Sequence, residues 1–214
     1  MEKKKTRLWP KIILGVFAIV IILSIIVVML NNNIVNKIVA KQRENVNEKN
    51  YSYTVQSNST ENTVTKVYYK DGTRIYVIQN NDKSAIMWNN SNTKEMITIV
   101  PNLLKATVQK YDSDDSTSIP YLLDASMSRA LKLSSIITSD TVNGEECYKV
   151  SSIGQKLWFS KSTGMIVKSI NGKAVTNEKK VDSVSEFKDW KFNQLTDIDV
   201  TRPNLIGYEV TNNQ

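Results

Sequence analysis

Apolar and polar positions divide this chain into three regimes. From Ile12 to Leu30 every position but Gly15 and Ser24 is apolar, and at about 1.5 Å per helical residue this run nearly matches a bilayer hydrocarbon core of roughly 30 Å. It predicts a transmembrane helix over 12–30. Apolar residues then thin to Ile34, Val35, Ile38, Val39 and Val46 at near-helical spacing among Asn, Lys, Gln, Arg and Glu. That stripe predicts a helical stalk over 31–50, which packs on the domain or continues the span more readily than it forms a separate membrane-surface element.

From Tyr51 onward the helical period gives way to short segments rich in Val, Ile, Tyr and Thr between turn residues, the pattern of antiparallel strands. Segments 64–70 and 73–79 flank Asp71-Gly72, a dipeptide that supplies the positive φ of a type I′ hairpin turn. Further strands are expected at 85–88, 95–100, 146–151, 156–160 and 165–170, and again over 184–192. One segment, 118–133, reads as a helix, with Pro120 near its start and Leu122, Leu123, Met127, Ala130, Leu131 and Leu133 as its apolar face. Trp158 lies between Leu157 and Phe159, and Ile166 between Met165 and Val167. Strands apolar on both faces need a cover on the second face, by helix or by ligand. The fold class expected is mainly β (α+β): an N-terminal transmembrane helix, then a curved antiparallel sheet, an incomplete barrel, covered by one or more helices. The organisation follows as a 1–11 basic tail, a 12–30 span, a 31–50 stalk and a 51–210 β domain.

Charge orients the span. Lys3, Lys4, Lys5, Arg7 and Lys11 precede it with only Glu2 opposing, whereas Asn31, Asn32 and Asn33 follow it, so the positive-inside bias places the N-terminus in the cytoplasm and the domain outside. A cleaved signal peptide needs a shorter apolar core of roughly 7 to 15 residues and a small-x-small exit site; residues 31–37 offer none. The 28 basic and 21 acidic residues give a net charge of +7, but five and one of them lie in the tail, leaving 23 against 20 outside. That surface is ordinary, and no nucleic-acid partner is expected. A single cysteine, Cys147, excludes an internal disulfide and an N-terminal lipid attachment. The absence of histidine and the heavy use of Asn, Lys and Ile fit an AT-rich bacterial genome.

The segment Glu146-Cys147-Tyr148-Lys149-Val150, followed by Leu157-Trp158-Phe159-Ser160-Lys161-Ser162-Thr163-Gly164-Met165-Ile166-Val167-Lys168, resembles a strand-turn-strand run of the LolA/LolB and LppX-like superfamily of lipoprotein carriers. Residues 184–192 with Asp197-Ile198-Asp199-Val200-Thr201-Arg202-Pro203 resemble its final strands. The likeness spans 144–210. It implies an incomplete barrel whose concave face is closed by helices and which, in relatives, receives acyl chains or partner segments. A membrane anchor departs from carriers that shuttle between membranes, and fold alone does not carry function.

Candidate chemistry is sparse. Without histidine there are no Ser-His or Cys-His pairs and no histidine metal sites. Ser185-Glu186-Phe187-Lys188 fits S-x-x-K but lacks its companion motifs, and it falls on a strand. Cys147 sits in a strand where a lone cysteine reads as core. Asp112, Asp114 and Asp115 sketch a calcium loop, but Thr117 and Leu123 stand where the turn glycine and the bidentate glutamate belong. Asp197 and Asp199 are expected on one strand face, with turn formation and solubility as their ordinary role. No catalytic residue, metal or cofactor is assigned. The aromatic set is first of all core. The candidate ligand-binding residues are Trp158, Trp190 and Phe192 on strands and Leu122, Met127 and Leu131 on the helix. The function expected is a single-pass, membrane-anchored extracytoplasmic binding protein of the cell envelope, not an enzyme. It would hold a lipid or lipoprotein acyl chain or dock an envelope protein. The alternative is a sensor or regulator subunit of an envelope complex, acting through a partner helix because the tail is too short to fold.

Overall fold

One helix, α1 (Leu8–Asn45), carries the chain from the apolar run into the folded domain without a break. Neither glycine nor proline interrupts it after Val16, so nothing in the backbone provides a kink. The computed structural model describes residues 8–58, 62–110, 119–176 and 179–213. Along the apolar run the side chains stand free, with Leu14 72% and Met29 67% exposed. A soluble core helix buries such residues; this helix is long and apolar enough to cross a membrane. Past Leu30 its character changes. Asn31, Val35, Ile38 and Gln42 are buried, and Val35 and Ile38 share a core cluster with Leu157, Phe159 and Ile166. The expected stalk thus packs into the main core, and the helix ends at Asn45, ahead of the first strand at Asn50.

The strands are β1 (Asn50–Ser57), β2 (Thr63–Lys70), β3 (Thr73–Asn80), β4 (Lys83–Asn90), β5 (Glu95–Val100), β6 (Lys105–Lys110), β7 (Ile136–Val142), β8 (Glu145–Ser152), β9 (Gln155–Ser160), β10 (Ile166–Thr176), β11 (Lys179–Phe192) and β12 (Glu209–Asn213). They form one open 12-stranded sheet in the order β12-β6-β5-β4-β3-β2-β1-β11-β10-β9-β8-β7. The mainly β class expected from the sequence is the one observed. Pairing is antiparallel except at one edge, where β12 runs parallel to β6. The Asp71-Gly72 turn has φ of 44° and 90°, as a type I′ hairpin requires.

Each face has its own cover. Over β1 and β8–β11 lie the second half of α1 and the helix α2 (Ala125–Ser134). The opposite face of β3–β6 is closed by the chain's C-terminal segment. There Leu205 and Tyr208 pack on Trp88, Ile97, Ile99 and Ala106, and the Trp88 indole donates to the Val200 carbonyl at 3.0 Å. A small second core of Val142, Cys147, Trp158 and Val167 occupies that same opposite face over β7–β10. The two-faced strands are thus closed largely by the chain itself.

Two expectations are corrected. The helix expected over 118–133 is shorter: Tyr121 has φ of 57°, 119–124 is not helical, and α2 begins after Asp124, whose carboxylate accepts from Met127 N at 2.6 Å. An aspartate cap placed there outweighs the apolar periodicity that continues through Leu122 and Leu123. Asp197 and Asp199 do not share a strand face. Asp197 precedes and Asp199 lies within a 3-10 turn, Ile198–Val200; Asp199 accepts from the Thr196 backbone and hydroxyl at 2.7 Å each, and Lys70 donates to Asp197 at 2.5 Å.

Candidate functional site

The six candidate residues do not line one cavity. Trp158 lies on the face away from the helices, 5% exposed, with its indole donating to Asp140 at 2.9 Å and Lys149 over its ring at 5.3 Å. Met127 is exposed on α2, whereas Leu131 is buried in the main core. Leu122, Trp190 and Phe192 pack together around Tyr51, Ile119 and Met165. Trp190 stacks on Tyr53 at 4.5 Å and lies 6.1 Å from Phe192, and its indole donates to the Ile166 carbonyl at 3.0 Å. These aromatics are core. Burial accordingly pushes the Tyr51 and Tyr53 phenols above their ordinary range.

The space sequence reasoning missed lies between the two helices. α2 runs antiparallel to α1, fixed at both ends by buried amides of α1. Gln42 donates to the carbonyls of Tyr121 and Gly164, each at 3.1 Å, and accepts from Leu123 N at 3.0 Å. Asn31 donates to Ser135 O at 2.7 Å and Lys132 O at 3.3 Å, satisfying carbonyls that the end of a helix leaves free. Between these two fastenings the helices leave a groove of about 690 Å³, with Val28, Met29, Val39, Leu123 and Leu133 in its walls. That volume falls in the range of small-molecule pockets. Arg43, Arg129 and Lys132 also line it, against one acid, Asp124, whose carboxylate caps α2. Among the described residues neither arginine has an ion-pair partner. A second space of about 430 Å³ continues the groove past Gln42 and Val46 to Leu122 and Glu48. Of the six candidates only Leu122 touches it. Antiparallel docking of two helices is a tertiary fact, and the legible signal was only that Arg43 and Arg129 sit on the polar sides of amphipathic segments.

Reactive groups are placed for structure. Cys147 is fully buried, its thiol donates to Glu145 O at 3.4 Å, and burial raises it to about 11, far from the thiolate a nucleophile needs. Ser185 and Lys188 lie on β11 opposite Ser57 and Thr54. Three positions apart on a strand, they project from opposite faces and cannot act as a pair. Asp112, Asp114 and Asp115 lie outside the described residues.

No family model matches the chain, and no curated protein matches it either. Among solved structures, the fold is similar to that of an uncharacterized conserved protein from Thermus thermophilus, with a TM-score of 0.51, 12% identity, and coverage of 83% of this chain and 98% of that one. At that identity the likeness is one of fold. PNGF-II aligns with a TM-score of 0.33 and 11% identity, over 77% of this chain and 32% of its own.

Proposed function

We propose that this protein is a non-catalytic, membrane-anchored extracytoplasmic binding protein whose α1–α2 groove holds an amphiphile with an acyl tail and an anionic head, such as a lipid or a lipoprotein acyl chain. The groove carries the reading. It begins at Val28 and Met29, in the last turn of the apolar run, and so opens where a lipid would enter from the outer leaflet. Its walls suit an acyl tail, and Arg43 and Arg129 offer charge-assisted bonds to phosphate or carboxylate. The basic flank before the apolar run supports an orientation with the domain outside; protease added to intact protoplasts is expected to digest it.

Lipid extraction and mass spectrometry of the purified full chain tests the groove. The wild type is expected to retain a defined lipid, and Ser128→Trp, which fills the groove from α2, is expected to lose it with an unchanged circular dichroism spectrum. A chain that carries no lipid yet co-purifies with one membrane protein favours the second reading, a regulatory subunit of an envelope complex. The observation on that side is the unbroken path of α1 from the membrane run into the core, which ties any movement of the domain to the span.

A further inference from the structure

We infer that the domain rests on the outer leaflet through a second contact, made by Leu133, Ile136 and Ile153, in addition to its helical anchor. The inference rests on the reading of α1 as a membrane span. The level of the bilayer surface along α1 is set where Leu30 gives way to Asn31, Asn32 and Asn33. The Asn31 amide holds Ser135 O and Lys132 O, so the C-terminus of α2 ends at that level, while Gln42 holds Leu123 about 16 Å farther out, at 1.5 Å per residue.

The nearby strands run the same way. The β9–β10 turn at Gly164 lies so close to the Ile38 carbonyl and Gln42 that a Cβ there would stand 2.7 Å from Ile38 O, which fixes that end of β9 at the outer level. At the other end, Ile136 opens β7 next to Ser135 and pairs with Ser151, which pairs with Lys156 at the start of β9. The β8–β9 turn beyond Ser151 therefore projects away from Gly164 and past the level of Asn31, carrying Ile153 toward the membrane.

All three residues at this edge are large, apolar and unpacked: Ile153 is 103%, Ile136 68% and Leu133 65% exposed. Lys156 is exposed beside them, and Lys132 bonds to Asn36 at 2.8 Å. Isoleucine and leucine at the acyl boundary with lysines at headgroup level is the arrangement of an interfacial membrane contact. The bilayer is the occupant the geometry favours, because Leu133 and Ile136 flank the Ser135 carbonyl that Asn31 holds where α1 leaves the apolar run, and Ile153 follows the Ser151 that pairs with Ile136.

The test uses the full chain in vesicles of phosphatidylcholine and phosphatidylglycerol, with the environment-sensitive fluorophore NBD on Ile153→Cys or, as a control, on Thr141→Cys, exposed toward the other end of the β7–β8 hairpin. Cys147 is buried and stays unlabelled; the wild-type chain is the blank. With brominated acyl chains, the Ile153 label is expected to lose emission and to be blue-shifted relative to the Thr141 label, which bromolipid leaves unchanged. An Ile153 label that bromolipid does not quench overturns the inference, whether water or another protein surrounds it. An empty groove leaves this measurement intact, so the two readings fail separately; failure of the chain to float with the vesicles overturns the anchor and this contact together.

Discussion

Gln42 shows how much of the domain depends on single residues. Its amide, itself buried, satisfies three backbone groups from two different segments, those of Gly164 and Leu123 away from water. Gln42→Leu strands the Leu123 N–H and two carbonyls, and is expected to lower the unfolding free energy by about 1–3 kcal/mol, read from the denaturant midpoint of the full chain in detergent. Gly164 is the matching constraint on the sheet side. It has φ of +75° and faces the Ile38 carbonyl without a Cβ, so Gly164→Ala combines a left-handed backbone worth about 1–3 kcal/mol with a clash that pushes α1 off the sheet. Neither residue was singled out from the sequence. A glutamine on an amphipathic helix and a glycine in a Thr-Gly turn look ordinary until the two segments meet.

At the scale of elements, periodicity located most strands and misread what interrupts them. On β11 the pairing shifts between Ser52 and Thr54 of its partner, and Asp189 takes φ of 57°. This bulge turns Phe187, Trp190 and Phe192 to one face, although strict alternation separates Phe187 from the other two. Trp190→Ala is therefore expected to cost about 3–5 kcal/mol as a core truncation, measured by denaturant unfolding, and any loss of lipid must be judged against that cost. The C-terminal segment was the least legible element, since 197–208 has little periodicity and is placed by side chains. Arg202 grips Glu95 of β5 with Nε at 3.0 Å and Nη2 at 2.7 Å, and this bond holds the Glu95 carboxyl below its ordinary 4.5. A carboxylate whose value is lowered by folding contributes stability above its ordinary value and loses it as pH falls through the folded one. Hydrogen-exchange protection of β12, taken relative to the intrinsic rate at each pH, is expected to fall on that acid side, and Glu95→Gln is expected to remove the step while lowering protection at neutral pH.

For the whole molecule, the helix expected as a stalk over 31–50 packs on the β domain along one face, as its apolar stripe allows. Val35, Ile38 and Gln42 are as buried as any strand residue. A chain beginning at Asn31 is expected to fold with a strand-dominated circular dichroism spectrum, and one beginning at Val46 to aggregate, having lost the helix that covers the main core. The general architecture was legible: a long apolar run, a polar turn pattern and one internal helix imply a mainly β chain behind a helix long and apolar enough to cross a membrane. The 12-strand order, the parallel edge and the groove depend on contacts between distant segments and were not. On the proposed anchoring, the unbroken α1 also determines how the domain stands at the membrane. Spanning helices accommodate a thinner bilayer by tilting, commonly by about 20°, and a chain with a flexible linker would absorb that tilt at the joint. Here the joint is about three turns of one helix, held near its ends by Asn31 and Gln42 to Ser135 and Leu123, which flank α2 on the sheet. On the proposed anchoring, the angle of the domain follows the tilt of α1 and gauges the thickness of the bilayer it crosses.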